Sequence, residues 1–403
     1  MGRKKFVRCS FCGKNTKEIG FVIQGNALET DVFICKPCND TCAQLFDAKN
    51  KTIASSSKKQ LDKKNVFPKH IKEYLDLHVI GQEKAKYALS IAISNHYKRI
   101  NFENSTDIQL SKTNVLLIGP TGSGKTLLVK KLAEYLQVPF VIGDATSLTE
   151  AGYVGDDVES LIASLLMKSD YDVTKAQKGI IYIDEIDKIA KKGSHVSISR
   201  DVSGEGVQQA LLKIIEGTVC GVPPQGGRKH PDQKLIHVDT SNILFIVGGC
   251  FDGIDEIAAK RHGFVKMGFS QAKQEKAPLK FMPEDLVEFG LIPEFIGRFP
   301  LIQNLNKLNF EDLCKVIKEP NNSILKQYQV LFALDKVKLE FTDDALMEVA
   351  KYAYEMDTGA RGIAQIMETV MFDYNFNIDQ FAGKKLVIDK DFVISKLLIS
   401  EAV

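Results

Sequence analysis

Short apolar runs and helical repeats of apolar residues alternate along most of the chain. Apolar positions recur at helical spacing from Glu83 to Arg99, and a continuous apolar run covers Asn114 to Ile118. A second helix is predicted over Leu127 to Leu136, and a second buried strand over Gly179 to Ile183. Uninterrupted apolar strands are typical of parallel sheets that helices cover on both faces. The pattern therefore predicts an α/β fold with a parallel sheet and flanking helices.

The pattern changes after Pro320, where helical periodicity dominates. The clearest segments run from Phe341 to Glu355 and from Ile363 to Phe372, and a late strand is predicted over Lys385 to Asp389. This part of the chain is predicted to be a small, mainly helical C-terminal domain, hinged near Lys318 to Pro320.

Composition limits the class of protein. The chain has 403 residues, which is more than a typical domain of ~150 residues and indicates several folding units. With 44% hydrophobic and 26% charged residues it is unlike collagen or a disordered chain. No apolar run approaches the ~20 residues that a membrane helix needs, and no apolar segment follows the basic N-terminus as in a signal peptide. We expect a cytoplasmic protein.

Charge is distributed unevenly along the chain. Residues 1–72 hold 15 Lys and Arg against 6 Asp and Glu, whereas residues 73–403 hold 38 against 45. A basic segment can bind nucleic acid, because clustered cations displace counterions from phosphates. A solvated basic segment is the alternative, and the scattered lysines with few aromatic residues between them favour it.

Four of the eight cysteines form two Cys-x2-Cys pairs close to the N-terminus. The pairs are Cys9 with Cys12 and Cys35 with Cys38, separated by a gap near twenty residues. Two such turns place four thiolates around one ion, which is typical of a structural zinc site without a water position. Two disulfides are the alternative, which a cytosolic chain disfavours. Cys42 is a substitute ligand or a spare thiol.

A phosphate-binding loop follows the first predicted strand. Gly119 to Thr126 matches G-x4-G-K-[ST] between a strand and a helix, the context that this motif requires. Its backbone N–H groups and the positive helix end suit phosphate oxygens. Lys125 is predicted to reach the β- and γ-phosphates, and Thr126 to bind Mg²⁺. A glycine turn without a ligand does not explain this lysine and threonine.

The second predicted strand ends in two acidic residues. Asp184 follows that strand and is predicted to hold the Mg²⁺ site together with Thr126. Glu185 is then placed to orient or deprotonate the water that attacks the γ-phosphate. Acidic residues at a strand end are often only polar ends, but the phosphate loop upstream favours the functional interpretation.

These features define a domain organisation. We predict a zinc-binding domain over residues 1–50, a flexible linker over 51–65, a large nucleotide-binding domain over 66–318 and a small C-terminal domain over 319–403. The linker is rich in Ser and Lys and lacks periodicity, as a flexible tether does.

The order of these motifs resembles the ClpX family of AAA+ unfoldases, which feed proteins to the ClpP peptidase. The zinc module, linker, phosphate loop and acidic strand end are followed by Leu291-Ile-Pro-Glu-Phe-Ile-Gly-Arg298 and Thr358-Gly-Ala-Arg361-Gly. The resemblance covers nearly the whole chain. It implies a P-loop AAA+ fold and a hexameric ring with ATP between subunits.

The resemblance also implies nucleotide contacts. Arg298 is expected to act as an arginine finger on the neighbouring subunit, and Arg361 as a sensor arginine of the small domain. Either arginine could instead form an ordinary salt bridge at a helix end. The nucleotide-binding set is expected to be Val79, Ile80, Gly119, Pro120, Thr121, Gly122, Ser123, Gly124, Lys125, Thr126, Leu127, Asp184 and Arg361.

Three loops are assigned to substrate handling through the resemblance. Tyr153 and Val154 lie between two glycines and match the axial pore loop, whose aromatic residue pushes on the polypeptide. Arg228, Lys229 and His230 match a charged loop at the pore entrance. The stretch 199–206 matches the second pore loop. In isolation, a tyrosine in a turn usually packs against its own domain.

The peptidase-docking loop departs from the family pattern. Met267, Gly268 and Phe269 stand where the family has Ile-Gly-Phe, so an apolar anchor of similar size is kept. A second Gly-Phe at Gly263 and Phe264 leaves the register open. No polar residue in the stretch 242–247 is assigned as the family's first sensor.

Together these features predict an ATPase that unfolds tagged proteins and delivers them to ClpP, or acts as a chaperone without it. The expected cofactors are ATP, Mg²⁺ and Zn²⁺. The expected partners are ClpP, protein substrates, adaptors on the zinc domain and other copies of the chain, with no membrane. No G-x-S-x-G or H-E-x-x-H motif indicates a peptidase of its own. The alternatives are a nucleic-acid motor with a basic zinc head and a non-enzymatic zinc adaptor.

Overall fold

A computed structural model describes most of the chain as two compact units, residues 1–62 and 63–403. The described residues are 7–15, 18, 21–25, 32–42, 66–102, 108, 110–149, 156–191, 204–223, 235–261 and 280–401. Among these, no helix is long and apolar enough to cross a membrane.

The first unit is built on one antiparallel hairpin. Strand β1 (Val22–Gly25) pairs with β2 (Val32–Cys35), and residues 36–42 continue as a helix. Cys9 and Cys35 are buried. A unit of this size has too little apolar surface to be stabilised by a hydrophobic core alone, so we expect its cysteines to stabilise the fold.

The strands of the second unit up to residue 304 were predicted only in part by the sequence. They are β3 (Val115–Ile118), β4 (Phe140–Asp144), β5 (Leu148–Thr149), β6 (Asp156–Asp157), β7 (Ile180–Asp184), β8 (Val219–Val222), β9 (Ile236–Asp239), β10 (Leu244–Gly249) and β11 (Leu301–Asn304). Five of them form a parallel sheet in the order β11-β3-β10-β7-β4. The predicted parallel sheet is confirmed.

Helices accompany this sheet. They are α1 (Pro68–Asp76), α2 (Glu83–Ile100), α3 (Lys125–Leu136), α4 (Ser160–Lys168), α5 (Val173–Ala176), α6 (Glu205–Glu216), α7 (Ile254–Arg261), α8 (Pro283–Phe289) and α9 (Pro293–Ile296). Strands β3 and β10 are buried along their whole length, which explains why their sequences lack polar alternation.

The last part of the chain has its own apolar cluster, within residues 308–397. Its elements are α10 (Phe310–Lys318), α11 (Ile324–Leu334), β12 (Lys338–Phe341), α12 (Asp343–Glu355), α13 (Ala360–Phe376), β13 (Lys385–Ile388) and α14 (Lys390–Glu401). Strands β12 and β13 pair in parallel. The predicted mainly helical C-terminal part is confirmed.

Two helix boundaries differ from the periodicity for local reasons. The helix predicted from Phe341 begins at Asp343, because the Thr342 hydroxyl accepts a hydrogen bond from the Ala345 N–H and caps the helix. Helix α13 extends beyond the predicted Ile363 to Phe372 at both ends. Its added turns carry partly exposed residues, which weaken the apolar periodicity there.

Candidate functional site: a phosphate loop and a four-cysteine cluster

The predicted phosphate loop connects β3 to α3 at the carboxyl edge of the sheet. Helix α3 begins at Lys125, directly after Gly124, whose φ of 96° lies in the left-handed region. Gly122 has φ 77°, and a Cβ atom there would lie 2.9 Å from the Thr358 carbonyl oxygen. Only glycine allows this turn and this close approach. The loop therefore presents its backbone N–H groups at a helix N-terminus, as phosphate binding requires.

The side chain of Lys125, the first residue of α3, folds back onto the loop. Its ammonium donates hydrogen bonds to the carbonyl oxygens of Gly119 and, at 3.1 Å, Pro120. Burial lowers the pKa of Lys125, and the nearby Asp184 carboxylate acts in the opposite direction. The amine thus lies beside the loop backbone and bonds to neutral carbonyl oxygens. Phosphate oxygens would form stronger, charge-assisted hydrogen bonds with it.

The predicted magnesium residues meet in the structure. The Thr126 hydroxyl donates a hydrogen bond of 2.8 Å to Oδ2 of Asp184, which ends β7. Hydroxyl and carboxylate oxygens are the ligands that Mg²⁺ uses beside nucleotide phosphates. The pair fits a magnesium ion, which would neutralise phosphate charge.

Glu185 directly follows Asp184 and has a left-handed backbone conformation. Its φ of 56° is left-handed, and its N–H donates to Oδ1 of Asp184 at 3.0 Å. Such a conformation in a residue other than glycine is held by its surroundings and is common at functional sites. A one-turn 3₁₀ helix, Ile186–Ile189, begins immediately afterwards. The turn leaves the Glu185 side chain exposed beside the magnesium pair.

Gln82 is a site residue that the sequence analysis missed. Its amide donates to the carbonyl oxygens of Ser123 at 3.2 Å and Asn306 at 2.7 Å, and its side-chain oxygen accepts from the Asn306 N–H at 2.9 Å. It thus joins the phosphate loop to the segment after β11. The partners lie 41 and 224 residues away in sequence, so no local pattern could reveal them.

Lys86 holds the segment that contains Val79 and Ile80. Its side chain is 2% exposed, and its ammonium contacts Asp76 at 2.5 Å, Glu83 at 2.7 Å and the Val79 carbonyl oxygen at 3.3 Å. Val79 also lies near Gly124 of the phosphate loop. The buried ammonium of this ion cluster therefore fixes the backbone of a predicted nucleotide contact.

We predict that Lys86→Met raises the KM for ATP about tenfold, because the Val79 carbonyl loses its donor and two carboxylates lose the buried one of the two lysines that pair with them. The kcat should change much less, since Lys86 contacts none of the predicted catalytic residues. Lys84→Met, at an exposed position of the same helix, is the matched control. Equal KM values for the two variants would contradict the role given to Lys86.

The small C-terminal part approaches the phosphate loop. The backbone of Gly359 lies against Gly122, and Arg361 stands in the first turn of α13. Burial is the main cause of the lowered pKa of Lys125, and the charge of Arg361 acts in the same direction. The position suits the predicted nucleotide contact, which stays a prediction.

Arg298 lies near the amino end of β3, whereas the phosphate loop lies at the carboxyl end of the same strand. Its carbonyl oxygen accepts a 3.0 Å hydrogen bond from the side chain of Asn114, the residue before β3, whereas the phosphate loop follows β3. A strand of four residues spans about 13 Å, which separates the two ends. The Arg298 side chain is 52% exposed, and its guanidinium forms an ion pair with Glu216. The fold therefore does not bring Arg298 to the phosphate loop of the same chain.

Other predicted site residues lie outside the described part of the chain. These are the pore-loop residues Tyr153, Val154, Arg228, Lys229 and His230 and the docking residues Met267, Gly268 and Phe269. Cys250 follows β10, just after the stretch 242–247 in which the first sensor is expected, and its N–H donates to Oδ1 of Asp187 at 3.0 Å. No polar side chain was assigned there from the sequence.

The four paired cysteines of the first unit form one cluster. The sulfur atoms of Cys9, Cys12, Cys35 and Cys38 all lie within 4.8 Å of one another, and none of these cysteines is in a disulfide. A tetrahedral zinc site with Zn–S bonds of about 2.3 Å has S···S edges of about 3.8 Å. The separation of Cys12 and Cys35 is 3.8 Å. The cluster fits Zn²⁺ and confirms the predicted ligand set.

Zinc removal should unfold the first unit and spare the second. Chelation is expected to make residues 7–42 sensitive to protease, because the four-thiolate site replaces a hydrophobic core. ATP turnover should stay within about twofold, since the phosphate loop belongs to the other compact unit. Cys12→Ser should lose zinc, whereas Cys42→Ser, outside the four-sulfur cluster, should keep it. Retained zinc in Cys12→Ser would contradict the assignment.

Comparisons with known proteins agree with this arrangement. Residues 110–302 match the AAA domain (Cdc48 subfamily), residues 7–48 the ClpX C4-type zinc finger, and residues 308–374 the C-terminal D2-small domain of ClpB protein. The chain is 49% identical over 397 residues to the ATP-dependent Clp protease ATP-binding subunit ClpX of Treponema denticola, covering 96% of this chain and 93% of that protein. It is an AAA ATPase with a four-cysteine zinc site, and it belongs to the ClpX family.

Proposed function

We propose that this protein is a hexameric, ATP-driven unfoldase that threads tagged proteins through a central pore and delivers them to ClpP. The similar protein from Treponema denticola is named as the ATP-binding subunit of an ATP-dependent Clp protease. The observation that carries the proposal is the position of Arg298, at the edge of the sheet opposite the phosphate loop. A charged finger there serves the active site of a neighbour, so it implies a ring.

Hydrolysis would use residues from both sides of each subunit boundary. Lys125 and the loop N–H groups bind the phosphates, Thr126 and Asp184 hold the magnesium position, and Glu185 takes the proton of the attacking water. Bound Mg²⁺ supplies charge neutralisation. Arg298 of the adjacent subunit stabilises the charge that develops on the transferred phosphate.

Hydrolysis can drive motion because two parts of the chain meet at the nucleotide. Gly122 of the phosphate loop contacts Gly359, which begins the helix of Arg361. Loss of the γ-phosphate changes the nucleotide that these two segments bind. The angle between the small C-terminal domain and the large domain can change as a result. In a ring, that change would move Tyr153 and Val154 along the pore axis and pull on the substrate.

Unfolding of a stable protein tests the proposal. A tagged fluorescent protein should lose its fluorescence with ATP but not with a non-hydrolysable analogue. Turnover of ATP that rises with single-stranded DNA and ignores the tagged protein would instead indicate a nucleic-acid motor. We also propose a cytoplasmic location, because the thiol cluster of the zinc site suits a reducing compartment.

A further inference from the structure

Gln208 is the most deeply buried polar side chain of α6. It is 0% exposed, in the second turn of the helix. A buried amide is retained at a cost unless its donors and acceptor are paired, so its partners reveal what it holds. Its neighbour Gln209 has the same side chain but is exposed.

The Gln208 amide binds two segments from different parts of the chain. Its Nε2 donates to the carbonyl oxygen of Ile189 at 2.8 Å and to that of Gly290 at 3.4 Å. Its Oε1 accepts from the Ile292 N–H at 2.8 Å. All of these partners are backbone groups, so the amide fixes main-chain positions.

The first segment belongs to the hydrolysis site. Ile189 ends the 3₁₀ helix that begins directly after Glu185. The Lys188 N–H donates to the Glu185 carbonyl oxygen at 2.9 Å, so this turn is a rigid extension of the catalytic position. The Gln208 bond to Ile189 therefore anchors the turn that orients Glu185.

The second segment leads to the predicted arginine finger. Ile292 caps α9, and Arg298 follows that short helix. The Lys191 N–H donates to the Gly290 carbonyl oxygen at 3.0 Å, so the two segments also touch directly. Gln208 forms hydrogen bonds with both segments and so stabilises the contact between them.

The two ends of α6 lie at different functional segments. In the chain it begins at Glu205, within the stretch 199–206 predicted as the second pore loop, and its last residue, Glu216, forms the ion pair with Arg298. A displacement of α6 should therefore shift Glu185 and Arg298 together. The Gln208 side chain transmits it to the turn after Glu185, and the ion pair of Glu216 transmits it to Arg298.

We propose that Gln208 is a positioning residue that couples α6, and through it the second pore loop, to the two catalytic elements of ATP hydrolysis. The coupling to substrate rests on the proposed unfoldase function, whereas the positioning of Glu185 and Arg298 does not. Gln208 touches neither nucleotide nor substrate in this role; it acts through Ile189 and Ile292.

Gln208→Met tests the amide with little change in volume. We expect kcat for ATP to fall about fivefold with KM within about twofold, because the phosphate loop and Val79 are untouched. The ATP consumed per unfolded protein molecule should rise at least about threefold, since the helix no longer transmits position faithfully. Gln209→Met, the exposed neighbour, should match the wild type in all three measurements.

Gln208→Glu separates hydrogen bonding from packing. A protonated carboxyl can donate to Ile189 and accept from Ile292, whereas a carboxylate has no donor. Burial raises the pKa of such a group, so kcat relative to wild type should recover as the pH is lowered from about 8 to about 6. Gln208→Met should show no such recovery. If Gln208→Met does not fold, this pH profile carries the test.

Three results would overturn the proposal. The first is a fall in kcat and unfolding that only follows a lowered Tm. The second is an unchanged ATP cost per unfolded molecule in Gln208→Met. The third is a Gln208→Glu variant no more active than Gln208→Met at low pH. If the wild type fails to unfold proteins, the proposed function fails, but kcat and KM without substrate still test the positioning of the catalytic segments.

Discussion

Glu185→Gln should lower ATP turnover by about 10²-fold or more and leave ATP binding nearly unchanged. The substitution keeps the size of the side chain and removes the base that accepts the proton of the attacking water. The phosphate loop and the pair formed by Thr126 and Asp184 stay intact, so nucleotide affinity should persist. Steady-state hydrolysis and equilibrium binding of a fluorescent ATP analogue measure the two effects.

Glu256→Gln is the matched control for this experiment. Glu256 is an exposed residue of α7 and is expected to tolerate the loss of its charge. Wild-type turnover in Glu185→Gln would refute the catalytic assignment. Loss of binding together with turnover would show that Glu185 has a structural role, a possibility raised by its left-handed backbone.

Arg298→Ala should lower ATP turnover about 10³-fold, the effect typical of losing an arginine finger. Arg298→Lys should recover only part of the activity, because an ammonium lacks the planar fork of a guanidinium. The ion pair with Glu216 is exposed, so its loss alone should hardly affect stability. Turnover and thermal unfolding of the same preparations separate these contributions.

Mixed rings test whether Arg298 acts on a neighbour. In an equal mixture of Arg298→Ala and Glu185→Gln subunits, about a quarter of the boundaries join an intact Glu185 to an intact Arg298. The mixture should therefore regain activity that neither variant has alone. A mixture as inactive as its components would mean that the finger acts within its own subunit, against the separation of Arg298 from the phosphate loop along β3.

The parts that sequence could predict are those encoded locally. The phosphate loop and the cysteine pairs are short motifs whose chemistry dictates their spacing, and β3 and β7 are apolar because both faces of the sheet are covered. Thr126 and Asp184 meet as expected because carboxyl ends of parallel strands share one edge.

The parts that sequence missed depend on distant contacts. Gln82 and Gln208 are single amides whose partners are backbone groups of remote segments, and before folding nothing distinguishes them from other polar residues at the start of a helix or within it. Lys86 carries a buried ammonium in a helix, and one of its acidic partners, Asp76, belongs to another helix. The role of Arg298 is implied by the family resemblance alone, and its separation from the phosphate loop depends on its contact with Asn114 at the other end of β3.

Degradation of a stably folded, tagged protein tests the central claim most directly. The assay combines this protein, ATP and a ClpP peptidase, and follows the loss of the full-length substrate. We predict degradation that needs all three components and that stops with Glu185→Gln. Degradation that proceeds with Glu185→Gln, or a substrate that stays intact with the wild-type protein, ATP and ClpP together, would contradict the account.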